Sequence, residues 1–517
     1  MSYVIGVDIG TQSTKALLMS TEGEIVAQAS VCYQVDQPRP LWAEQWPDVW
    51  LDAVFESVAA AVAQGRVAAT AIKAICVSSL YGGSGIPVDA DIKPLHPCLI
   101  WMDRRANDEV EWVRQHVDVG QLKRITGNGV DSYYGFTKML WLKRNRPQVW
   151  AQTRYLLPPN SYVHYHLTGE LAVDHSSAGN IGGVYDIEAR TWSVALLEAL
   201  GIDPQLMPQR LVESSEIVGG LLPAAARRLG LSPGTPVVAG GVDAAMATLA
   251  AGVIEPGNHV AMIGTSMCWG FINQHTDPDR GLISMPYVQN PRKDIYIFGG
   301  AIAAGASVSW FRDQFCAQEV QAAALIPGFD VHELMELEAA KTPAGADGLV
   351  FLPYLMGERS PVWDARASGA YVGLTLFHSK AHLYRAVLEG LAFALRHNME
   401  RGRQGAVRLD PELIVVGGAA ASDLWMQIIA DITGYPVLTI EQEVEAPLGG
   451  AMLAALAIGA IDSPAQVREW RTLRPRAQPE PCNKATYDDM FEQYCNLYHA
   501  LKPSMHALGS CRVRVGG

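Results

Sequence analysis

At the start of this chain an apolar strand ends in one carboxylate, turns on a glycine, and runs through a row of hydroxyls into a lysine. The residues are Tyr3-Val4-Ile5-Gly6-Val7-Asp8-Ile9-Gly10-Thr11-Gln12-Ser13-Thr14-Lys15. Ala16-Leu17-Leu18-Met19 returns as a second strand, Glu22-Gly23 turns it, and 25–31 gives a third. Such a turn offers backbone N–H groups and hydroxyls to an anion, with a carboxylate beside it to hold a cation. That set suits a phosphate carrying magnesium. The same residues also suit a plain hairpin whose aspartate bonds its own turn. The pattern returns at Met262-Ile263-Gly264-Thr265-Ser266, between the apolar runs 259–263 and 268–272. Two distant copies of one hairpin imply two related domains facing a shared cleft.

A chain of 517 residues is too long for one core. The net charge of −13, with no long basic run, argues against nucleic acid as a partner. No basic, apolar, cleavable leader opens the sequence, and its apolar run 244–254 is too short to span a bilayer. No membrane partner is expected. Eight cysteines without a Cys-x-x-Cys pair imply neither zinc nor a disulfide framework. Cys32, Cys76 and Cys98 read as small buried hydrophobes, and a reducing cytoplasm is expected.

Short apolar strands alternate with helical patterns, the signature of an α/β fold. Helices are expected over 50–63, 138–143, 161–167, 244–251, 299–311, 424–433 and 487–500. Strands are expected over 72–78, 236–240 and 413–416. A Gly- and Ser-rich loop occupies 82–85, and 474–484 reads as a polar, Pro-rich connector. The Gly- and Pro-containing segment 252–257 marks the domain boundary. The expected division is 1–252, 253–480 and a helical tail over 481–517.

Four places carry chemistry. Asp8 ends a buried strand, where a carboxylate is costly unless a cation or hydrogen bonds satisfy it. Asp243 sits at a strand-to-helix corner after Gly240-Gly241; it is placed to act as a general base or as a helix N-cap. Gly417-Gly418-Ala419-Ala420-Ala421-Ser422 leaves room for a purine and ribose, or for close strand–helix packing. Trp101-Met102-Asp103-Arg104-Arg105 suits a polyol, or a solvated, salt-bridged helix start. The P-loop and the dinucleotide fingerprint are both missing, which argues against a dehydrogenase.

Together these residues resemble the FGGY carbohydrate kinases, on the two-domain actin/hexokinase-like ATPase fold of ribonuclease H-like repeats. The likeness runs through nearly the whole chain. The C-terminal half carries the most specific segment, Gly369-Ala370-Tyr371-Val372-Gly373-Leu374 followed by His382-Leu383-Tyr384-Arg385-Ala386-Val387-Leu388-Glu389. Trp42-Ala43-Glu44-Gln45 and Gly357-Glu358-Arg359-Ser360-Pro361 are similar to the xylulose-kinase-like branch. Two departures stand out. Gly82 falls where that branch usually has a sugar-contacting histidine, and Gly135 where Pro, Ser or Thr is expected.

The resemblance implies ATP-dependent phosphorylation of a small sugar or polyol, most simply a ketopentose. Glycerol, erythritol and aldonates are alternative substrates, and a non-catalytic nucleotide-binding regulator is the rival role. Thr11, Gln12, Ser13, Thr14, Lys15, Gly264, Thr265, Gly305, Gly417, Gly418, Ala419 and Ser422 would hold the nucleotide. Asp8 would hold Mg2+, and Asp243 would be the base. Tyr81, Gly82, Trp101, Asp103 and Asp243 would meet the sugar. D-xylulose is expected to be a mediocre substrate, and a homodimer is an open assembly state.

Overall fold

A computed structural model describes residues 1–325, 328, 330–404, 407–441 and 445–515. Two mixed sheets dominate. In the first, the strands run Ile217–Gly220, Pro236–Val238, Ile72–Ser79, Tyr3–Ile9, Ser13–Ser20 and Ile25–Cys32 across the sheet. In the second, they run Leu473–Ala477, Val437–Ile440, Leu413–Val416, His259–Ile263, Met267–Asn273, Ile295–Gly299 and Ile283–Pro286. Read in these orders, both begin with an antiparallel pair, continue with two parallel pairings, and end in antiparallel hairpin strands. The two hairpins singled out in the sequence therefore occupy equivalent places in the two sheets.

Strand Tyr3–Ile9 is apolar on both faces because both are covered. Ile5, Val7 and Ile9 pack on the Trp50, Val54 and Val58 side of helix Pro47–Gly65. Val4 belongs to the core on the opposite face, with Met246, Leu249 and Leu453. That second face is closed by helix Ala446–Ala457, which comes from the C-terminal half and lies across the first sheet. The approach is close enough to require glycine. A Cβ on Gly6 would lie 1.8 Å from Pro447 O, and one on Gly449 would lie 2.1 Å from Met246 O.

The second sheet shares its core with the long helix Lys380–Arg403, whose Ala386 is buried, and with the C-terminal helix Lys484–Val515. Tyr487, Phe491 and Tyr494 anchor the latter. Among the described residues no helix is long and apolar enough to cross a membrane.

Some local expectations shift. Residues 299–311 are not one helix: Gly299 ends a strand and the helix is Gly305–Phe315. The segment 474–484 contributes to an edge strand, Leu473–Ala477, and the last helix runs well beyond 487–500. Pro is tolerated there because the strand is at the sheet edge. Cys76 and Cys98 are buried as expected, but Cys32 is exposed. It ends the edge strand Ile25–Cys32, where burial alternates and Cys32 points outward.

Candidate active site

The two hairpin turns face each other across a cleft of about 450 Å³. Gly10, Thr11, Ser13 and Lys15 line one wall; Gly264, Thr265 and Ser266 line the other. Each turn is closed by its glycine N–H, the first onto a carbonyl three residues on and the second onto one two residues on. The Gly10 N–H donates to Ser13 O at 2.9 Å, and the Gly264 N–H to Ser266 O at 2.9 Å. Tyr33 buttresses the first turn, donating its hydroxyl to Gly10 O at 2.7 Å. Behind the second, helix Gly305–Phe315 begins with its Gly305 N–H donating to Gly264 O at 2.9 Å. A Cβ on Gly305 would approach that carbonyl to 2.6 Å, so glycine is what lets the helix end seat there.

Asp8 reaches the cleft through strand register. It pairs with Ser78 on the parallel neighbour, and the Ser78 hydroxyl donates to Asp8 Oδ1 at 2.8 Å. Asp243 enters from the strand-to-helix corner. Gly240, at φ +64°, makes the turn possible, because a Cβ there would lie 2.2 Å from Val77 O. The N-cap of helix Asp243–Ala250 is Val242, so Asp243 is not the cap. Its Oδ1 accepts the Ala244 N–H at 2.6 Å, and the side chain lines the cleft.

Both carboxylates keep a path to cleft water while being ringed by protein. Burial pushes the Asp8 carboxyl up to about 6; Ser78 opposes the rise and Glu445 adds to it. Burial and then the nearby Asp8 charge push Asp243 up to about 7, against the Ala244 N–H and the Arg359 cation. Two such carboxylates sharing a cleft are stabilised by a cation. Among the described residues no group of three His, Cys, Asp or Glu gathers into an all-protein cage. One or two carboxylates beside a phosphate site is the donor set that suits magnesium, which keeps several waters and takes the rest of its ligands from phosphates.

The chain matches the FGGY family of carbohydrate kinases in both halves, the N-terminal domain over residues 3–250 and the C-terminal domain over 259–458. The chain belongs to the FGGY family of carbohydrate kinases. It is 32% identical over 522 residues to a xylulose kinase of Bacillus subtilis, covering 99% of this chain and 100% of that protein. It is 29% identical over 505–506 residues to gluconokinases of Bacillus licheniformis and Bacillus subtilis, covering 97% of this chain and 96% of each. Its structure superposes on a ligand-bound xylulose kinase of Lactobacillus acidophilus with a TM-score of 0.89, at 27% identity, covering 98% of this chain and 100% of that one.

In this FGGY kinase several expected site residues meet and others do not. Asp8, Thr11, Ser13, Lys15, Tyr81, Trp101, Asp243, Gly264, Thr265 and Gly417 all line the cleft. Trp101 is fixed by its Nε1–H, which donates to Thr11 Oγ1 at 3.0 Å. Gln12 is exposed outside that lining, and the buried Thr14 turns its hydroxyl to Tyr33 OH at 3.1 Å. Gly418, Ala419 and Ser422 lie beyond the lining. Ser422 caps helix Asp423–Thr433, its Oγ accepting the Trp425 N–H at 3.0 Å, and Gly417 packs where a Cβ would meet Ile263 O at 2.6 Å.

Asp103 does not line the cleft either. It is fully buried in an ion pair: Oδ2 accepts from Arg105 Nε at 2.8 Å and from the Ala43 N–H at 2.7 Å. The salt bridge of the alternative reading is present but buried rather than solvated, and it precedes the helix that starts at Asn107, with Arg105 clamped between Asp103 and Glu44 and stacked 3.6 Å over Trp42. Gly82 opens onto a small side cavity instead, with Pro159 beside it; a Cβ at Gly82 would lie 2.5 Å from Pro159 Cδ. Gly135 has a comparable reason to lack a side chain, because a Cβ there would lie 2.0 Å from Gly83 O.

Among the cleft residues that carried no assigned role in the sequence are Tyr133, Asn180, Arg359 and Glu445. Glu445 forms an ion pair with Lys15, linking the first hairpin to the crossing helix. Asn180 is buried with neither amide atom in a hydrogen bond of normal geometry. Of these four, Arg359 alone had a sequence signal, the Gly357-Glu358-Arg359-Ser360-Pro361 segment.

Proposed function

We propose that this kinase transfers the γ-phosphoryl group of ATP to a hydroxyl of a small sugar, with a ketopentose or related sugar as substrate and Asp243 as general base. The observation that carries this reading is the position of Asp243 in the cleft wall, uncapped and facing the hairpin turns, with a pKa lifted to about 7. A base poised near the working pH combines a useful ionised fraction with a real proton affinity. The Thr11 and Thr265 turns are the natural cradle for the phosphates, and Asp8 is the natural anchor for Mg2+, which would neutralise phosphate charge when bound.

The hydroxyl oxygen attacks the γ-phosphorus, its proton passes to Asp243, and ADP leaves. Most of the acceleration in such transfers comes from positioning and charge stabilisation. The aromatic wall of Trp101, Tyr133 and Tyr81 suits the C–H faces of a sugar, and the Asn180 amide beside Tyr133 suits one of its hydroxyls. An aldonate is the second reading, favoured by the gluconokinase relatives, which cover 97% of this chain. Coupled ADP release, screened over pentuloses, hexuloses, pentitols, erythritol, glycerol and aldonates, tests both. A ketopentose giving the highest kcat/KM supports the first reading, and an aldonate doing so replaces it.

A further inference from the structure

Among the described residues Arg359 is a buried cation without a direct salt bridge; the charges of Asp243 and Glu358 act on it only from beyond contact distance. It is 5% exposed, and among the described residues no carboxylate lies within ion-pair distance of it. Its Nε is buried with no partner, and its Nη2 reaches Cys268 Sγ at 3.6 Å. The guanidinium carbon lies 5.5 Å from the Trp101 ring centre and 5.9 Å from that of Tyr133. The neighbouring Glu358 interacts with it electrostatically but forms no salt bridge with it, and its Oε2 is buried without a partner. Glu358 Oε1 accepts the Ile302 N–H at 3.1 Å and the Arg359 N–H at 2.8 Å, so that oxygen is committed to the backbone. A guanidinium held this way is costly until an anion meets it.

The segment holding Arg359 is rigidly placed. Beside the Glu358 bonds, Ser360 Oγ accepts the Gly300 N–H at 2.8 Å. Residues 300–302 adjoin the second hairpin, where the Met267 N–H donates to Ala301 O at 2.9 Å. Arg359 thus comes from the C-terminal half and faces Asp243, Trp101 and Tyr133 of the N-terminal half across the cleft. A planar fork of donors with its Nε still unpartnered, fixed in advance beside the base, is what a group gaining negative charge between two oxygens requires.

We infer that Arg359 is a catalytic residue whose guanidinium binds the phosphoryl oxygens while the group passes from ATP to the sugar hydroxyl. The inference rests on the kinase reading above. The sugar O–P bond forms, and the bond from the γ-phosphorus to the bridging oxygen breaks with its electron pair leaving on ADP. The hydroxyl proton goes to Asp243, while Arg359 keeps its protons throughout and forms no covalent bond.

The test compares wild type with Arg359→Met and Arg359→Lys, using the best sugar of the screen. Each is assayed for kcat, for KM of sugar and ATP, and for calorimetric binding of ADP with and without aluminium fluoride in the presence of sugar. Arg359→Met is expected to lose about 10²–10³ in kcat. Its KM values and ADP affinity should change little, and the extra affinity conferred by aluminium fluoride should disappear. Arg359→Lys should recover part of the rate, because it restores charge without the fork.

A methionine variant within about threefold of wild-type kcat would overturn the inference and leave Arg359 as packing. So would a loss confined to the KM of acid sugars, which would make Arg359 a carboxylate-binding group. If Arg359→Met does not fold, Arg359→Lys decides: an unchanged kcat with unchanged aluminium fluoride binding overturns the role. Wild type without sugar-dependent ADP release would sink the kinase reading itself, which is a separate outcome.

Discussion

At the scale of single residues, the cleft is an arrangement of charges waiting for opposite charges. Asp8 has one oxygen satisfied by Ser78, while burial holds its pKa up to about 6. Replacing it with alanine should leave the fold intact and raise the magnesium concentration needed for half-maximal activity, because the metal loses its protein carboxylate. A magnesium titration of Asp8→Ala that overlays wild type would place the anchor elsewhere. Gly82 gives a different kind of prediction. The close approach of Pro159 leaves no space for a side chain, so Gly82→His should not install a sugar-contacting imidazole there. Overpacking of this sort typically costs about 1–3 kcal/mol. The variant should unfold at lower urea concentration with no gain in kcat/KM on D-xylulose; a gain on D-xylulose at unchanged stability would contradict this.

At the scale of elements, glycine contacts set how closely helices sit on the first sheet. The Gly449 Cα faces Met246 O so closely that Gly449→Ala must push the crossing helix off its neighbour. A destabilisation of about 1–3 kcal/mol is expected, read as a shift in urea midpoint at unchanged slope. An unshifted midpoint would mean the helix is not seated as described. His164, buried in helix Pro159–Thr168, makes stability depend on pH. Burial lowers its pKa to about 3 in the folded chain. Below about pH 6.5 the unfolded chain binds a proton there and the folded chain does not, so this group removes stability as pH falls toward 3. Its slope is up to about 1.4 kcal/mol per pH unit. His164→Asn should flatten the decline of stability between about pH 6 and 4, and an unaltered slope would contradict the assignment.

These elements also explain what the sequence did and did not make legible. The hairpins, the parallel strands 72–78 and 413–416, and the Asp243 corner follow from local alternation and turn chemistry. Helix Ala446–Ala457 is apolar nearly all round because it is buried nearly all round, so no amphipathic period marked it or the sheet it crosses. Asp103 failed as a sugar contact for a related reason. Its ion-pair partner Arg105 is close in sequence, but the Ala43 N–H that Asp103 accepts and the Glu44 carboxylate that Arg105 meets lie 60 and 61 residues away, so no local pattern announces that the pair is buried. Asn180 and Arg359 reach the cleft only through tertiary packing, each from a segment without a repeating signal.

At the scale of the whole molecule, two sheets of repeated design each bring one hairpin turn to a common cleft, and the crossing helix ties the C-terminal half to the first sheet. The arrangement places a buried aspartate from one half in the same cleft as a guanidinium from the other, with a hairpin turn on either side. A nucleotide-binding regulator would have no need of that pairing. The most direct measurement is sugar-dependent ADP release by wild type and by Asp243→Asn, at saturating ATP and magnesium with the best sugar of the screen. Wild type should release ADP in step with sugar phosphate, and the variant should fall by about 10²–10⁴ while keeping its melting curve and its ATP affinity. A folded Asp243→Asn retaining more than about a tenth of wild-type turnover would show that another group takes the proton.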